Sequence, residues 1–467
     1  MITLQASEIA KIVGGELIGD DLAVNAPPVF DSNSATSGSI FLALKGEKAD
    51  GHKYIDAAFA NGAVLAIVTE PSAKRCIVVK DVLAALNKLA AHVREALPDL
   101  TVIAITGSQG KTTTKDLLQH ILESVGSTVA PQGNFNNELG TPITLLQCDA
   151  STKFCILEMG ARHIGDIAAL CEMAKPNIGV VLRVGTAHIG EFGSAEAVAT
   201  AKSEMISSLD NSAVAILGQY DPFTQKMQSL HDGKIITFGE STAADVRATD
   251  IEIREGRPHF DLVTSAGRAA VGLRIVGIHQ VANALAAAAV ATTLGASIDL
   301  IAGALSTAEL HSKWRMEISE ITGVVLINDS YNSSPESAEA ALRTLVLFAQ
   351  ERGGQSWAFL GKMHELGASS RDRHAGIGTL ASELGIDHLV CVAAPDYADE
   401  IGTNCAMDVH LLQSKTEALA LVTQMRSGDV ILVKASRAET FEEIAQGITD
   451  QLEKMLGIVE EGESEIR

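Results

Sequence analysis

The chain has 467 residues, of which 58 are Asp or Glu and 36 are Lys or Arg, so its formal net charge is −22. A chain of this length is too long to fold around a single hydrophobic core, so about three domains are expected. The acidic balance argues against nucleic acid or an anionic membrane as a partner, because both require a cationic face.

Neither export nor membrane insertion is indicated by the sequence. The first twenty residues include Glu8, Lys11, Glu16 and Asp20, so they lack the uninterrupted apolar core of a signal peptide. The longest uncharged run, 275–298, is rich in alanine and predicts a buried helix rather than a membrane span. The six cysteines are scattered without a Cys-x-x-Cys pair, which favours neither a disulfide framework nor a zinc site. We expect a soluble cytoplasmic protein.

Short apolar runs alternate with helical patterns along most of the chain. Because continuous apolar strands with intervening helices are typical of parallel sheets covered on both faces, the sequence predicts an α/β fold. The predicted strands are 63–68, 76–79, 101–106, 154–160, 177–185, 213–217, 323–329, 357–361, 388–393 and 429–436.

Two domain boundaries are predicted. Residues 81–97 have the pattern of a helix that ends before Pro98, which places the first boundary near residue 82. The second falls near Ser312, where a new βαβ series begins. Between them, 234–277 is predicted to form antiparallel strands with 254–260 as a turn. The predicted domains are 1–82, 83–312 and 313–467.

A glycine-rich turn follows the strand at 101–106, in the sequence AITGSQGKTTTKDLL (residues 104–118). The backbone N–H groups of such a turn and the N-terminus of the next helix form a natural phosphate site. Lys111 would reach the terminal phosphates, and Thr112 would offer its hydroxyl to a magnesium ion. The common phosphate loop has a further glycine where this chain has Ile105. A glycine turn with an exposed lysine is therefore the alternative.

Polar residues follow several predicted strands, at the sheet edge where ligands gather in open α/β folds. Glu158 ends one strand, and His188 lies in a glycine-rich loop after the next. Together with Thr112 they would surround a phosphate-bound cation. A capping carboxylate and a structural histidine are the alternatives.

Two helices carry further candidates. Lys202 lies on a helix otherwise lined by small residues, where a surface lysine is the alternative. His279 and Asn283 lie four residues apart on one face of an apolar helix. Asn283 could read an adenine edge, or it could hydrogen-bond within the core.

Ten short motifs, in a fixed order, carry a resemblance to a known family. They are TGSQGKT, GNFNNELGTP, LEMGA, GTAHIGEFGS, AKSEM, HQVANALAA, SKWRME, NDSYNSSPES, LGKMHELG and VKASRAETFE. In this order the chain resembles the Mur ligase family of cell-wall amide ligases over residues 30–445, and that family uses the shortened TGxxGKT loop. The resemblance implies a small N-terminal α/β domain, a central parallel-sheet domain like that of P-loop ATPases, and a C-terminal Rossmann-like domain that closes over ATP.

Within the family, NDSYNSSP and GNFNNELGTP resemble the ligases that add D-alanyl-D-alanine to UDP-N-acetylmuramoyl-tripeptide in peptidoglycan precursor synthesis. The resemblance implies that ATP converts the tripeptide carboxylate to an acyl phosphate, which the dipeptide amine captures, with release of ADP and phosphate. The alternative is another ligase of the superfamily, either a UDP-muramoyl-dipeptide amino-acid ligase or folylpolyglutamate synthase. A nucleotide switch is disfavoured, because no Asn-Lys-x-Asp guanine reader follows the loop.

Three questions stay open at this point. Lysine and diaminopimelate are both possible at the third peptide position, and no base is named for deprotonating the amine. Nothing in the sequence suggests an obligate partner chain, so we expect a monomer. Asn33 stands where the family often has arginine, which leaves the contact made there to the diphosphate or the sugar undefined.

The same resemblance implies roles for individual residues. ATP would be bound, and the C-terminal domain closed over it, by Gly107, Ser108, Gly110, Lys111, Thr112, Thr113, Asn137, Asn283, Arg315 and Asp329. One magnesium ion would be held by Thr112 and Glu158 and a second by His188, and Lys202, carbamylated by CO2, would help to hold the metals. The residues implied in catalysis are Lys111, His188, Lys202 and Arg315. Those implied in substrate binding are Asp31, Ser32, Lys45 and Asp50 in the first domain and Tyr331, Asn332, Lys434, Ser436 and Arg437 in the third.

Overall fold

The computed structural model describes residues 1–46, 49–131, 133, 135–185, 189–310, 312–402 and 405–455. His188, one of the predicted metal ligands, lies outside these residues. Strands and helices alternate along the described chain, and the predicted α/β fold class is confirmed.

The N-terminal part of the chain builds one small sheet and a separate strand pair. Its strands are β1 (Leu4–Gln5), β2 (Glu16–Ile18), β3 (Ala23–Val24), β4 (Pro28–Val29), β5 (Ile40–Leu42), β6 (Leu65–Val68) and β7 (Cys76–Val78), and its helices are α1 (Ala6–Val13) and α2 (Ile55–Ala60). The sheet order is β2-β7-β6-β5-β4, parallel except for β2 against β7, while β1 and β3 form an antiparallel pair.

Helix α3 (Val82–Ala96) joins this sheet to the next one, and it confirms the helix predicted at 81–97. Its start is set by Asp81, whose carboxylate accepts hydrogen bonds from the backbone N–H groups of Leu83 and Ala84. The buried face of α3 contacts α1 on one side and the central domain on the other, so one apolar core runs across the predicted boundary at residue 82.

The central part contains a nine-stranded sheet. Its strands are β8 (Thr101–Thr106), β9 (Thr128–Val129), β10 (Phe154–Glu158), β11 (Ile178–Val181), β12 (Val214–Gly218), β13 (Lys234–Gly239), β14 (Val246–Arg254), β15 (Arg257–Thr264) and β16 (Gly267–Gly272). Its helices are α4 (Lys111–Glu123), α5 (Gly140–Leu145), α6 (Asp166–Ala174), α7 (Ile189–Phe192), α8 (Ala195–Ser207), α9 (Pro222–Lys226), α10 (Gln280–Thr293) and α11 (Ile298–Thr307). The strand order is β16-β15-β14-β13-β12-β11-β8-β10-β9.

The prediction for 234–277 was only partly right. Strand β13 pairs in parallel with β12, and β14 pairs in parallel with β13; only the pairings of β14 with β15 and of β15 with β16 are antiparallel. The turn is also shorter than the predicted 254–260, because only Glu255 and Gly256 lie between β14 and β15. An apolar run such as KIITFG suits a buried parallel strand as well as an antiparallel one, so its pairing depends on its neighbour.

Helix α10 confirms the buried, alanine-rich helix predicted within 275–298. Most of its residues are inaccessible to solvent, and it packs against α4 and the central sheet. Within the described residues, no helix combines the length and the apolar character needed to cross a bilayer.

The C-terminal part forms a six-stranded sheet. Its strands are β17 (Glu317–Ile321), β18 (Val324–Asn328), β19 (Ser356–Leu360), β20 (His388–Val392), β21 (Asp408–Leu412) and β22 (Val430–Lys434), and its helices are α12 (Pro335–Arg352), α13 (Ser370–Glu383), α14 (Lys415–Leu419) and α15 (Glu442–Met455). The order is β17-β18-β22-β19-β20-β21, parallel except for the hairpin of β17 and β18, which the predicted βαβ series did not include.

Candidate active site

The glycine turn of residues 107–110 connects β8 to α4 as predicted. Gly110 has a left-handed backbone (φ 83°) and caps α4, which begins at Lys111. The Lys111 ammonium folds back over the turn and donates to the carbonyl of Gly107 at 2.8 Å. The Ser108 hydroxyl accepts a 2.8 Å hydrogen bond from the N–H of Gly185. The turn is thereby tied to the segment that follows β11.

Asn283 lies directly against this turn. A Cβ atom added at Gly110 would come within 2.1 Å of the Asn283 side-chain oxygen. That amide is held in place, because its nitrogen donates to Gln280 at 2.7 Å and its oxygen accepts from the Thr114 hydroxyl at 3.5 Å. The predicted adenine reader therefore packs on the phosphate loop, and its amide also makes hydrogen bonds within the core.

The carboxylate of Glu158 is the centre of the site. It ends β10, is only 1% exposed, and accepts 2.8 Å hydrogen bonds from the Thr112 hydroxyl and the Asn136 amide. Asn137, the predicted γ-phosphate residue, accepts instead from the N–H of Gly140 at 2.9 Å and so helps to start α5. Both residues line the cleft, but the contact to Glu158 is made by Asn136.

Three cationic side chains line the same cleft: Lys111, which Glu158 influences directly, and Lys202 and Arg315, which both act on Lys111. Lys202 lies on α8 and is 4% exposed; its burial, together with the charge of Lys111, lowers the pKa of its ammonium to about 7. Desolvation also lowers the pKa of Lys111, an effect that Glu158 opposes and Arg315 reinforces. A much larger fraction of Lys202 is therefore neutral at pH 7 than of a free lysine.

A cleft of about 1410 Å³ extends from these residues between the central and C-terminal sheets. Four side chains that line it carry a buried polar atom without a hydrogen-bond partner: Arg183 Nε, Tyr220 Oη, His279 Nδ1 and Arg315 Nε. Such groups are rare in folded proteins unless a ligand satisfies them. Two guanidinium groups, a phenol and an imidazole suit a strongly anionic ligand.

The C-terminal sheet supplies the opposite wall. Lys434, at the end of β22, donates to the Asp329 carboxylate at 2.5 Å and to the Asn332 carbonyl at 2.9 Å. The Arg315 guanidinium lies 4.0 Å from the ring centre of Tyr331. The structure thus brings five of the predicted C-terminal residues to the cleft.

Several of the predicted substrate-binding residues do not line this cleft. Within the described chain, the lining of this cleft excludes Asp31, Ser32, Lys45, Asp50, Ser436 and Arg437. The carboxylates of Asp31 and Asp50 accept from backbone N–H groups two residues ahead and so stabilise local turns. Arg437 contacts the Trp314 ring and Glu442. Such local interactions have no signature in sequence spacing, and the substrate roles of these residues stay predictions.

The sequence reasoning missed Asn136, Arg183 and Tyr220. Arg183 follows β11 and Tyr220 follows β12, so the rule that pointed to Glu158 and His188 would also have found them. Asn136 is one of two adjacent asparagines, and spacing alone does not say which of the two faces the site.

Comparison with known proteins supports the resemblance. The chain matches three family descriptions: "Mur ligase family, catalytic domain" over residues 29–101, "Mur ligase middle domain" over 105–291 and "Mur ligase, glutamate ligase domain" over 314–437. It is 39% identical to the UDP-N-acetylmuramoyl-tripeptide–D-alanyl-D-alanine ligase of Mycobacterium tuberculosis, with 96% of this chain and 98% of that protein aligned.

Solved structures agree with this match. The chain resembles MurF from Acinetobacter baumannii with a TM-score of 0.87 at 33% identity, covering 96% of this chain and 99% of the other. It also resembles MurF of Thermotoga maritima in complex with ADP, with a TM-score of 0.80 at 30% identity over 92% and 98% of the two chains.

The chain belongs to the Mur ligase family. Its fold has the three-domain architecture of the MurF structures, and as a Mur ligase the protein is an ATP-dependent ligase. The predicted family and enzyme class are confirmed.

The fit between Gly110 and Asn283 gives a first prediction. Gly110→Ala should lower the free energy of unfolding by about 2–3 kcal/mol, because it adds left-handed backbone strain to a collision with a fixed amide. The matched control is Gly295→Ala: Gly295 has φ 82° and no atom within 4 Å of the added Cβ, so only about 1 kcal/mol should be lost. Urea unfolding measures both values, and equal losses would contradict the packing argument.

Proposed function

We propose that this Mur ligase joins D-alanyl-D-alanine to UDP-N-acetylmuramoyl-tripeptide in the cytoplasm, as a monomer, for peptidoglycan synthesis. The observation that carries the proposal is the Glu158 carboxylate, which is hydrogen-bonded to the phosphate-loop residue Thr112 and lies in one cleft with Lys111, Lys202 and Arg315. The names of the relatives supply the substrates. We also propose that the three domains meet near residues 82 and 312, as the sequence predicts.

The chemistry explains why this site is cationic. A carboxylate is a poor electrophile, so its oxygen attacks the γ-phosphorus of ATP; the bond from that phosphorus to the β–γ bridging oxygen breaks, and ADP leaves. The dipeptide amine then attacks the acyl carbon, phosphate leaves with the bonding electrons, and the amine nitrogen gives up a proton to solvent. The first step crowds a carboxylate against a triphosphate, and Lys111 and Arg315 would offset that repulsion.

The residues around Glu158 fit a magnesium ion. The hydroxyl of Thr112 and the carboxylate of Glu158 are oxygen ligands of the kind that Mg²⁺ prefers, and the ion would neutralise charge between the two anionic substrates. Within the described residues, no group of three His, Cys, Asp or Glu side chains converges on one point. A carbamate on Lys202 would supply a second anionic ligand, and His188 remains a proposed one.

The substrate pair is tested directly by product formation. Purified protein with ATP, Mg²⁺, UDP-N-acetylmuramoyl-tripeptide and D-alanyl-D-alanine should release one phosphate for each pentapeptide formed, as followed by mass spectrometry. Lys111→Ala should lose this activity yet still bind the UDP-substrate, because its ammonium contacts the phosphate loop rather than the first domain.

A parallel reaction with folate and glutamate, and another with UDP-muramoyl-dipeptide and diaminopimelate, test the alternatives. Turnover in either of them without pentapeptide formation would replace the proposed substrates. ATP hydrolysis retained in Lys111→Ala would contradict the role given to the phosphate loop.

The lowered pKa of Lys202 makes its carbamylation feasible. Only a neutral amine attacks CO2, and a pKa of about 7 leaves a large neutral fraction at neutral pH, whereas a free lysine near pKa 10.4 has almost none. The carbamate would then be negative, which suits a position beside Lys111 and a metal ion.

Carbamylation has a readout independent of activity. Protein incubated with ¹³C-bicarbonate should show a carbamate NMR signal that increases from pH 6 to pH 8, as the ammonium loses its proton, and Lys202→Ala should lack it. The variant should also lose about 100-fold in kcat and recover partly with a short-chain carboxylic acid. Lys111→Ala is the control that no carboxylic acid should rescue, and an identical carbon spectrum in wild type and Lys202→Ala would refute the modification.

Closure of the C-terminal domain would protect the acyl phosphate from water. Helix α7 of the central domain already contacts residues 360–367 of the C-terminal domain, because the N–H of Gly190 donates to the Glu365 carbonyl at 2.9 Å. A Cβ at Gly190 would lie 2.5 Å from the Gly367 nitrogen, so only glycine permits this contact.

Gly190→Ala should act as a wedge between the two domains. We expect at least a 10-fold lower kcat and more phosphate released per pentapeptide, with a nearly unchanged melting temperature, because no strand or core residue is altered. Gly376→Ala, on α13 with open space around the added atom, should behave as wild type. Full coupling of phosphate release to product in the Gly190 variant would argue against closure at this contact.

A further inference from the structure

Two large aromatic side chains in the lining of the cleft are exposed to solvent. Phe30 is 41% exposed and Phe135 is 37% exposed, yet both line the cleft and their ring centres are 6.1 Å apart. They come from different domains, since Phe30 follows β4 of the N-terminal sheet and Phe135 precedes α5 of the central domain. The two ring planes are tilted by 57°, so the rings touch each other and present one exposed apolar surface in a concave site, where an apolar group can bind.

The backbone of both aromatic residues is held by local contacts. Phe30 is held between β4 and the turn that the Asp31 carboxylate caps. The backbone of Phe135 packs against Gly140, where a Cβ would lie 2.6 Å from the Phe135 Cα atom, and the next carbonyl, of Asn136, accepts from the N–H of Gly160 at 2.7 Å. The pair is thus a preformed feature of the cleft wall.

The position of Phe135 relates it to the reacting end of the substrate. It is one residue from Asn136, whose amide bonds to Glu158, and Glu158 marks the proposed site of carboxylate activation. The part of the tripeptide next to that carboxylate is the side chain of its third residue. Lysine and diaminopimelate both have an unbranched methylene stem there, whereas the uracil lies at the opposite end of the substrate.

We propose that Phe30 and Phe135 together form one aromatic surface, here called the aromatic clamp, against which the methylene stem of the third residue of the tripeptide packs, an inference that rests on the proposed function. The rings contact the stem and leave the end of the side chain free. The clamp therefore selects for length and apolar character, and it accepts lysine and diaminopimelate alike.

The test compares three UDP-muramoyl-tripeptides whose third residue is lysine, diaminopimelate or alanine. Phe30→Ala and Phe135→Ala should each raise KM about 10-fold for the first two substrates and less than about 2-fold for the alanine substrate, which has no stem to contact. KM for ATP and for the dipeptide should not change. Phe→Leu at either position should recover part of the loss, because an apolar contact remains.

Leu230→Ala is the matched control, since Leu230 is 45% exposed and lies outside the lining of the cleft. Its KM values should equal those of the wild type for all three substrates. An equal rise for all three substrates in the Phe variants, with weaker inhibition by UDP, would place the rings at the uracil and overturn the clamp. Unchanged KM values would overturn it as well. Failure of the wild type on every UDP-muramoyl-peptide is a separate result, which overturns the proposed function and the clamp with it.

Discussion

The site depends on the burial of one carboxylate. Glu158 is almost inaccessible to solvent, and a buried charge is tolerated only where hydrogen bonds or opposite charges replace its water. Thr112 at the start of α4 and Asn136 in the loop before α5 provide those bonds. Three chain segments therefore meet at one point, and the phosphate loop, the Asn136 loop and the end of β10 cannot shift independently.

The site is rich in cationic side chains, whereas the molecule as a whole is acidic. The chain has a net charge of −22, but Lys111, Lys202 and Arg315 line one cleft together with Glu158. Repulsion and desolvation among these groups are visible in the lowered pKa of the two lysines. Such a cluster is costly in a protein without a ligand, and the unpaired nitrogens of Arg183 and Arg315 add to that cost. The arrangement is explained by a ligand with several negative charges.

The N-terminal and C-terminal domains complete the cleft from two sides. The end of β4 presents Phe30, and the ends of β18 and β22 present Asp329 and Lys434. Contacts such as that of Gly190 with Glu365 hold the central and C-terminal domains close together. The cleft is therefore a product of domain packing, with the phosphate loop at its centre and side chains of all three domains in its wall.

Much of the fold and part of the site could be predicted from local pattern. The apolar runs gave the strands, Asp81 and Pro98 bounded α3, and the position of Glu158 after four apolar residues placed it at a ligand-binding edge. Strand pairing was harder to predict from the sequence, because the residues of KIITFG carry no information about the neighbouring strand. This segment forms a parallel strand rather than the predicted antiparallel one. The choice between Asn136 and Asn137 likewise depended on how the loop turns.

The sequence by itself determined the α/β alternation, the glycine turn before Lys111 and the chemistry available at each strand end, because these follow from local periodicity and residue type. Only the tertiary structure decided which side chains meet. Lys202 acquires its lowered pKa from burial beside Lys111, and Asp329 pairs with Lys434, more than one hundred residues away along the chain. Burial and long-range contact are properties of the packed chain, and no spacing within a motif encodes them.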